Sequence, residues 1–132
     1  MFKYEKTVSG NIDNKKLWEL YSDVSRWKEW DVDVENVALN GTFSPGNTGI
    51  MSMKNGQSLL FTIDNVSAEK EFTISSCLGE ITVSFIHVIT ATTITHTVTI
   101  AGGAEAQMED MGKGIIANLP DTLDKLLSMV SQ

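Results

Sequence analysis

Hydrophobic and polar residues alternate along most of the chain, and a helical spacing replaces this alternation in only two regions. Residues 2–9 alternate, which predicts a half-buried strand. Apolar residues then recur at steps of three and four up to Val24, which predicts an amphipathic helix capped by Asp13, and a short turn after it carries Trp27 and Trp30. Residues 32–101 contain only short alternating runs, which predicts an antiparallel meander.

Six pairs of turn-forming residues punctuate this meander, which is predicted to contain six strands; together with the first strand they make seven. Asn55-Gly56 is the strongest hairpin signal, because both residue types tolerate the positive φ angles of a type I′ turn. The other turn-forming pairs are Asn40-Gly41, Pro45-Gly46, Ala68-Glu69, Leu78-Gly79 and Ala91-Thr92.

The second helical spacing follows Gly103 and predicts a helix from about Glu105 to Val130, roughly 39 Å long. Pro120 removes one backbone donor and crowds the preceding turn, so this helix either kinks there or ends and restarts with the proline in its first turn. Because the apolar phase continues across Pro120, we favour one kinked helix. With no internal repeat and no linker, residues 1–132 are expected to form a single domain.

The last two predicted strands place both histidines on the apolar face of the sheet. A two-residue turn at Ala91-Thr92 would set His87 opposite His96 and Phe85 opposite Val98, whereas another even-length turn would shift the pairing by two residues. In either case both imidazoles point inward, because side chains alternate between the two faces of a strand. Earlier strands extend this concave wall with Leu59, Phe61, Ile63, Phe72 and Ile74.

Composition and charge limit which partners the protein can bind and in which cellular compartment we expect it. The formal net charge is -7, which makes nucleic acid a poor partner, and no apolar run approaches the roughly 20 residues of a membrane span. The N-terminus has no apolar signal segment, and the single Cys77 forms no internal disulfide, so we expect a cytoplasmic protein. Two histidines beside one cysteine are too few for a structural zinc site, so we expect no metal and no cofactor.

The stretch from Ile12 to Gly49 resembles the START-like (SRPBCC) superfamily, in particular its polyketide cyclase/dehydrase branch. Looser matches are Ile63 with Val66, the THTVTI run of the last strand and the LPDTL segment of the final helix, so the similarity covers nearly the whole chain. Asp31 departs from the pattern, since relatives commonly have proline after the second tryptophan. The matching residues are Ile12, Trp18, Leu20, Asp23, Val24, Trp27, Trp30, Leu39, Gly41, Gly46 and Gly49.

This resemblance implies an α+β helix-grip fold of the START/Bet v 1-like type, with two short helices after the first strand and a seven-stranded antiparallel sheet wrapped around a long C-terminal helix. It also implies a cavity between sheet and helix for a small apolar ligand, which periodicity alone does not establish. It does not fix one function, because relatives include carriers, cyclases and chaperone-binding proteins.

Two readings remain open for each candidate site residue. His87 and His96 either contact a ligand or transfer a proton in the cavity, or they are core histidines that form hydrogen bonds with each other or with the backbone. A metal ion shared by the two histidines would lack a third protein ligand. Trp18, Trp27 and Trp30 either stack on an aromatic ligand or only pack in the core; packing is favoured, with Trp30 as the strongest candidate for stacking. Met108 and Met111 either form an adaptable cover over the cavity or only pack. The predicted ligand-binding residues are Trp30, Phe61, Phe72, Phe85, His87, His96, Val98, Met108, Met111 and Ile115.

Three functions are therefore predicted as alternatives. The first is a carrier of a lipid-, polyketide- or aromatic-type ligand, present as a monomer or weak dimer and without membrane insertion. The second is a cyclase or aromatase in which His87 or His96 is the general acid/base. The third is a protein-interaction module with a filled interior. We favour the carrier, since no nucleophile motif, paired inward carboxylates or phosphate loop is present.

Overall fold

The computed structural model describes all 132 residues and contains seven strands, four α-helices and one 3₁₀ turn. None of the helices combines the length and the apolar composition that crossing a bilayer requires. In chain order the elements are β1 (Phe2–Ser9), α1 (Asn14–Ser22), the 3₁₀ turn (Val24–Arg26), α2 (Trp27–Trp30), β2 (Val34–Asn40), β3 (Thr48–Met53), β4 (Ser58–Ser67), β5 (Glu71–Leu78), β6 (Ile81–Ile89), β7 (Thr93–Ala101), α3 (Glu105–Ile116) and α4 (Leu119–Val130).

All strands belong to one antiparallel sheet with the order β1-β7-β6-β5-β4-β3-β2. Strands β2 to β7 form a meander, and β1 closes it by pairing with β7. Helix α1 starts where predicted, because the Asp13 carboxylate accepts a hydrogen bond from the backbone N–H of Lys16 at 3.1 Å. The predicted α+β helix-grip architecture, with two short helices after β1, is confirmed.

The register of β6 and β7 matches the two-residue turn predicted at Ala91-Thr92. Thr90 N–H donates to Thr93 O at 2.9 Å and closes the turn. His87 consequently lies opposite His96, and Phe85 lies opposite Val98. The alternation of polar and apolar residues leaves no other pairing that keeps the apolar set on one face with so short a turn.

The turns between β2 and β4 differ from the prediction in detail. A type I′ turn needs a positive φ at both central residues, but at the Asn55-Gly56 hairpin only Gly56 has one (92°). The prediction of a type I′ turn is therefore wrong. The Asn55 side chain instead accepts a hydrogen bond from Gln57 N–H at 2.9 Å, which stabilises the turn without a positive φ at Asn55. Gly41, Pro45 and Gly46 lie in a single loop between β2 and β3, and Asn40 is the last residue of β2.

The long C-terminal helix is present and bent, but the bend is a break of two residues. Helix α3 ends at Ile116, α4 begins at Leu119, and Ala117 and Asn118 form a turn between them. Pro120 therefore occupies the first turn of α4, where its missing N–H costs no hydrogen bond. The favoured prediction of one uninterrupted kinked helix is replaced by the alternative, in which the helix ends and restarts.

The apolar core has two parts, one at each end of the concave face. The larger part surrounds α1, α2 and α4 and includes Trp27, Phe61, Phe72 and Leu123. The smaller part lies where Met108 of α3 meets β6 and β7, and Phe85 and Leu119 contact both parts. The space between the two parts is not filled by side chains. The smaller part comprises Ile81, Val83, Val98, Ile100 and Met108.

Ser76 is the one fully buried side chain whose polar atom has no hydrogen-bond partner. It is 2% exposed and shares the concave face with Phe72 and Ile74. We expect Ser76→Ala to raise the free energy of unfolding by about 1 kcal/mol, because the unpaired hydroxyl is removed at no loss of a hydrogen bond. Urea denaturation measures this, with Ser75→Ala on the opposite face as the control; a loss of stability specific to Ser76→Ala would contradict it.

Candidate functional site

A cavity of about 590 Å³ lies between the concave face of the sheet and the C-terminal helix. Half of its lining residues are hydrophobic. Strands β3 to β7 form its wall, α2 closes one end, and the junction of α3 and α4 covers it. It opens to solvent between the β3–β4 hairpin and the α3–α4 junction, where the exposed lining residues are Lys54, Asn55, Gln57, Asp110, Gly114 and Asn118.

Two imidazoles lie side by side in the wall of this cavity. His87 and His96 are cross-strand partners, and their ring centroids are 4.5 Å apart in an edge-to-face arrangement. Their exposed fractions are 7% and 6%, and both line the cavity. The prediction that they point inward as neighbours is confirmed. Whether they bind a ligand stays a prediction.

Each imidazole has one clear hydrogen-bond partner in the protein, and the Phe85 backbone oxygen is a weaker second neighbour of the His87 ring. His87 Nδ1 donates to the backbone oxygen of Phe72 at 3.2 Å, and the Phe72 ring stacks on the His87 ring with centroids 3.9 Å apart. His96 Nε2 pairs with Tyr21 Oη at 2.7 Å. Tyr21 comes from α1 and is fully buried, so it fixes the position of His96 from the side opposite the sheet.

Burial keeps both imidazoles uncharged at neutral pH. It lowers the pKa of His87 to about 3, although the backbone oxygens of Phe72 and Phe85 act in the opposite direction. Burial also lowers the pKa of His96 well below its usual 6.5, and the neighbouring His87 adds to this effect. Burial raises the pKa of Tyr21 well above 10, so its hydroxyl remains protonated. The site therefore offers hydrogen bonds but no positive charge.

Seven of the ten predicted ligand-binding residues line the cavity. Trp30 comes from α2, Phe85 and His87 come from β6, and His96 and Val98 from β7. The remaining two, Met111 and Ile115, project from α3. Residues from four separate elements are thus brought together around one space.

Phe61, Phe72 and Met108 lie on the predicted face but outside the cavity wall. Phe61 extends across β3 because Gly49 has no side chain: a Cβ there would lie 2.5 Å from Phe61 Cζ. Phe72 is covered by a cluster of aromatic rings, including Trp27 at a centroid distance of 5.8 Å. Met108 packs into the smaller part of the core.

Sequence reasoning missed several residues of the site. The spacing of α1 places Tyr21 only in an apolar stripe, and no local pattern connects it to His96, 75 positions away. For Asp31, the only indication in the sequence was that related sequences commonly have proline at this position. Trp27, for which packing was favoured over stacking on a ligand, also lines the cavity, and the lining residues not singled out beforehand include Asp33, Met51, Met53 and Thr122.

Carboxylates gather at the mouth of the cavity beside α2. Asp31 accepts a hydrogen bond from Asp33 N–H at 3.1 Å, and the Asp33 carboxylate accepts one from Asn118 Nδ2 at 2.8 Å. Thr122 Oγ1 accepts from Val32 N–H at 3.2 Å. These contacts attach the segment after α2 to the α3–α4 junction and fix one side of the opening.

Burial raises the pKa of Asp31 from 3.8 to about 6, and the neighbouring Asp33 carboxylate adds to this increase. The hydrogen bond from Asp33 N–H and the positive charge of Lys54 both lower the pKa and so oppose the increase. Because the folded pKa exceeds the unfolded one, Asp31 destabilises the fold increasingly as pH rises from about 4 to 6. We expect Asp31→Asn to raise the free energy of unfolding by about 2 kcal/mol at pH 7.5 and by little at pH 4.

Chemical denaturation at both pH values measures this change, and Asp110→Asn at the exposed side of the mouth is the matched control. The asparagine retains an oxygen that accepts from Asp33 N–H, so the hydrogen bond is preserved. An equal effect of Asp31→Asn at pH 4 and pH 7.5 would contradict the assigned cause.

The side chains that could bind a metal are dispersed. No group of three or more His, Cys, Asp or Glu side chains lies together as a metal site requires. Cys77 is exposed on the outer face of the sheet, with its sulfur 3.9 Å from Thr82 Oγ1. Within the apolar wall, two neutral imidazoles offer hydrogen bonds, and at the mouth burial brings the pKa of the Asp31 carboxyl to about 6.

No protein-family model and no curated protein matches the sequence. Solved structures match nearly its whole length at low identity. Ara h 8.0201 is 16% identical with a TM-score of 0.70, covering 97% of this chain and 96% of its own. Protein MLL2253 from Mesorhizobium loti is 16% identical with a TM-score of 0.69, covering 95% and 93%.

The di-domain ARO/CYC BexL from the BE-7585A biosynthetic pathway is 19% identical with a TM-score of 0.69; the match covers 99% of this chain and 50% of BexL. Identities this low establish the fold alone. The resemblance predicted from Ile12 to Gly49 is thus confirmed for the architecture. The chain has the START/Bet v 1-like, polyketide cyclase-type fold.

Proposed function

We propose that the protein binds and carries a small apolar ligand in the cavity between its sheet and its C-terminal helix. The observation that carries this proposal is the cavity itself, about 590 Å³, walled by Trp30, Phe85, Val98 and Ile115. Its volume falls within the range of small-molecule sites, and such sites combine an apolar wall with a few polar groups. Here His87 and His96 supply those polar groups.

A carrier fits the state of the imidazoles better than a cyclase does. A general acid must hold a proton to donate, and an efficient acid/base group has a pKa near the working pH. Burial lowers the pKa of both histidines well below 6.5, so they are neutral and weakly basic at pH 7. Their geometry suits hydrogen bonding to a bound ligand without proton transfer.

A protein-interaction module with a filled interior is disfavoured by the open cavity. The net charge of -7 repels a phosphate backbone, so nucleic acid is not among the proposed partners. We further propose that the carrier acts in the cytoplasm as a monomer or weak dimer, consistent with one exposed cysteine and no disulfide.

Ligand titration tests the function. The probes are fatty acids, flavonoids and quinones, and the signals are tryptophan fluorescence, which reports on Trp30 in the cavity wall, and isothermal calorimetry. We expect saturable one-to-one binding of at least one probe class at micromolar concentration or below, with no consumption of the ligand. Binding with turnover that is lost in His87→Ala would support the cyclase instead, and the absence of saturable binding across the panel would overturn the carrier.

A further inference from the structure

We propose that the histidine pair selects a ligand with an uncharged hydroxyl group, which donates a hydrogen bond to His87 Nε2 and accepts one from His96 Nδ1–H. This inference rests on the proposed function, since it names the chemistry of the ligand in the same cavity. It follows from which ring nitrogen of each histidine carries the proton, and the contacts of the two rings decide that question.

His87 carries its proton on Nδ1. The partner of Nδ1 is the backbone oxygen of Phe72, at 3.2 Å, and a carbonyl oxygen can only accept a hydrogen bond. In the neutral ring, Nε2 then has a lone pair and acts as an acceptor. Nε2 makes no hydrogen bond to the protein, although His87 is 7% exposed and faces the cavity.

His96 also carries its proton on Nδ1, for a different reason. Tyr21 is fully buried, and its hydroxyl has only His96 Nε2, at 2.7 Å, as a partner. If Nε2 held the proton, the tyrosine O–H would have no acceptor and would be buried unpaired at a cost. Tyr21 therefore donates to Nε2, and His96 Nδ1–H remains as a donor.

The free nitrogens of the two rings face the cavity. Ser76 Oγ is the only fully buried side-chain oxygen or nitrogen without a partner, so His87 Nε2 and His96 Nδ1 both retain accessible surface. The ring centroids are 4.5 Å apart, which is close enough for one acceptor and one donor to contact the same ligand group. No hydrogen bond joins the two rings to each other. They leave a complementary pair of sites for a group that both donates and accepts.

A hydroxyl matches this pair, and charged head groups do not. A carboxylate has only acceptors, so one of its oxygens would face the lone pair of His87 Nε2, and an ammonium has only donors, so it would face His96 Nδ1–H. An ether accepts from His96 but leaves His87 Nε2 unpaired. The mouth also carries the negative charges of Asp33 and Asp110 and only one positive charge, that of Lys54. An anion that enters the cavity is therefore repelled.

The test compares three probes of nearly equal size. 1-Octanol and 1-methoxyheptane are isomers that differ in one hydrogen-bond donor, and octanoate at pH 7.5 carries a charge. We expect calorimetry to show 1-octanol binding roughly tenfold more tightly than the ether, as the loss of one buried hydrogen bond predicts, and more tightly than octanoate. Equal affinity for the alcohol and the ether would overturn the inference and leave the proposed function standing.

Tyr21→Phe tests the positioning of His96. Without the tyrosine hydroxyl, the proton of His96 can occupy either nitrogen, so the preference for 1-octanol over the ether should fall about threefold or more. Nitrogen-15 chemical shifts of the imidazoles should show both rings protonated on Nδ1 in the unmodified protein and a mixed population at His96 in Tyr21→Phe. Tyr4→Phe, on β1 outside the cavity, should change neither result.

The nitrogen-15 measurement on the free protein decides the tautomers without any ligand. A His96 ring protonated on Nε2 would overturn the inference directly. If the tautomers agree and 1-octanol does not bind, while a fatty acid, flavonoid or quinone does, the inference alone fails. If none of these compounds binds, the carrier function fails and the inference fails with it. The failure of the selection rule alone is therefore distinguishable from the failure of the function.

Discussion

Acidification from pH 7 to pH 4.5 should lower the free energy of unfolding by several kcal/mol, mostly through His87 and His96. In the unfolded chain both histidines take up protons below about pH 6.5. In the folded chain burial lowers the pKa of each well below that value, so the unfolded state binds more protons and becomes favoured as pH falls. At pH 4.5 this linkage costs about 3 kcal/mol for His87, and His96 adds a cost of the same sign.

Asp31 acts in the opposite direction and restores about 1 to 2 kcal/mol between pH 6 and pH 4.5, because its folded pKa is raised. The histidine contribution is isolated with His87→Asn and His96→Gln. In His87→Asn the new amide NH₂ can replace the Nδ1 donor, and in His96→Gln the new amide oxygen can accept from Tyr21 as Nε2 does.

Urea denaturation at several pH values measures the effect. Each variant should lose about half of the histidine-dependent decrease in stability below pH 6.5. If the free energy of unfolding of both variants changes with pH in the same way as that of the unmodified protein, the two imidazoles are not held neutral in the folded state.

Ile115→Trp should weaken the binding of any cavity ligand by roughly 10- to 100-fold, the equivalent of about 1 to 3 kcal/mol of overpacking. Ile115 lines the cavity from α3 and packs against the smaller part of the core. It is half-buried, so an indole at this position can extend into existing space without displacing the backbone.

Lys113→Trp is the matched control, because it introduces the same side chain on the same helix at an exposed position outside the cavity wall. It should leave affinity unchanged. Near-ultraviolet circular dichroism and thermal unfolding check that both variants fold. Equal affinities for the two variants, with both folded, would place the bound ligand outside the cavity.

The hairpin of β6 and β7 shows what could be predicted from the sequence. Strict alternation and a two-residue turn determine the register, so the facing of His87 and His96 followed from local pattern alone. The seven strands and the positions of the helical regions followed for the same reason, except for the break at Ala117 and Asn118. Each of these features depends on residues close together in the chain.

Features that depend on distant residues could not be predicted. Tyr21 reaches His96 only because α1 crosses the concave face, and a periodic apolar stripe does not specify which hydroxyl lies over which ring. Phe61 has the predicted facing, yet Gly49 on the neighbouring strand directs its ring into the core. The pKa of Asp31 depends on its burial beside α2, which composition does not encode.

Intermolecular nuclear Overhauser effects from bound 1-octanol would locate the ligand within the fold. A ligand inside the cavity should give contacts from its alkyl protons to the methyl groups of Met111, Ile115 and Val98, and from the protons next to its hydroxyl to the rings of His87 and His96. Contacts confined to exposed side chains such as Leu60, or no contacts for a saturating ligand, would contradict a ligand-binding space between sheet and helix.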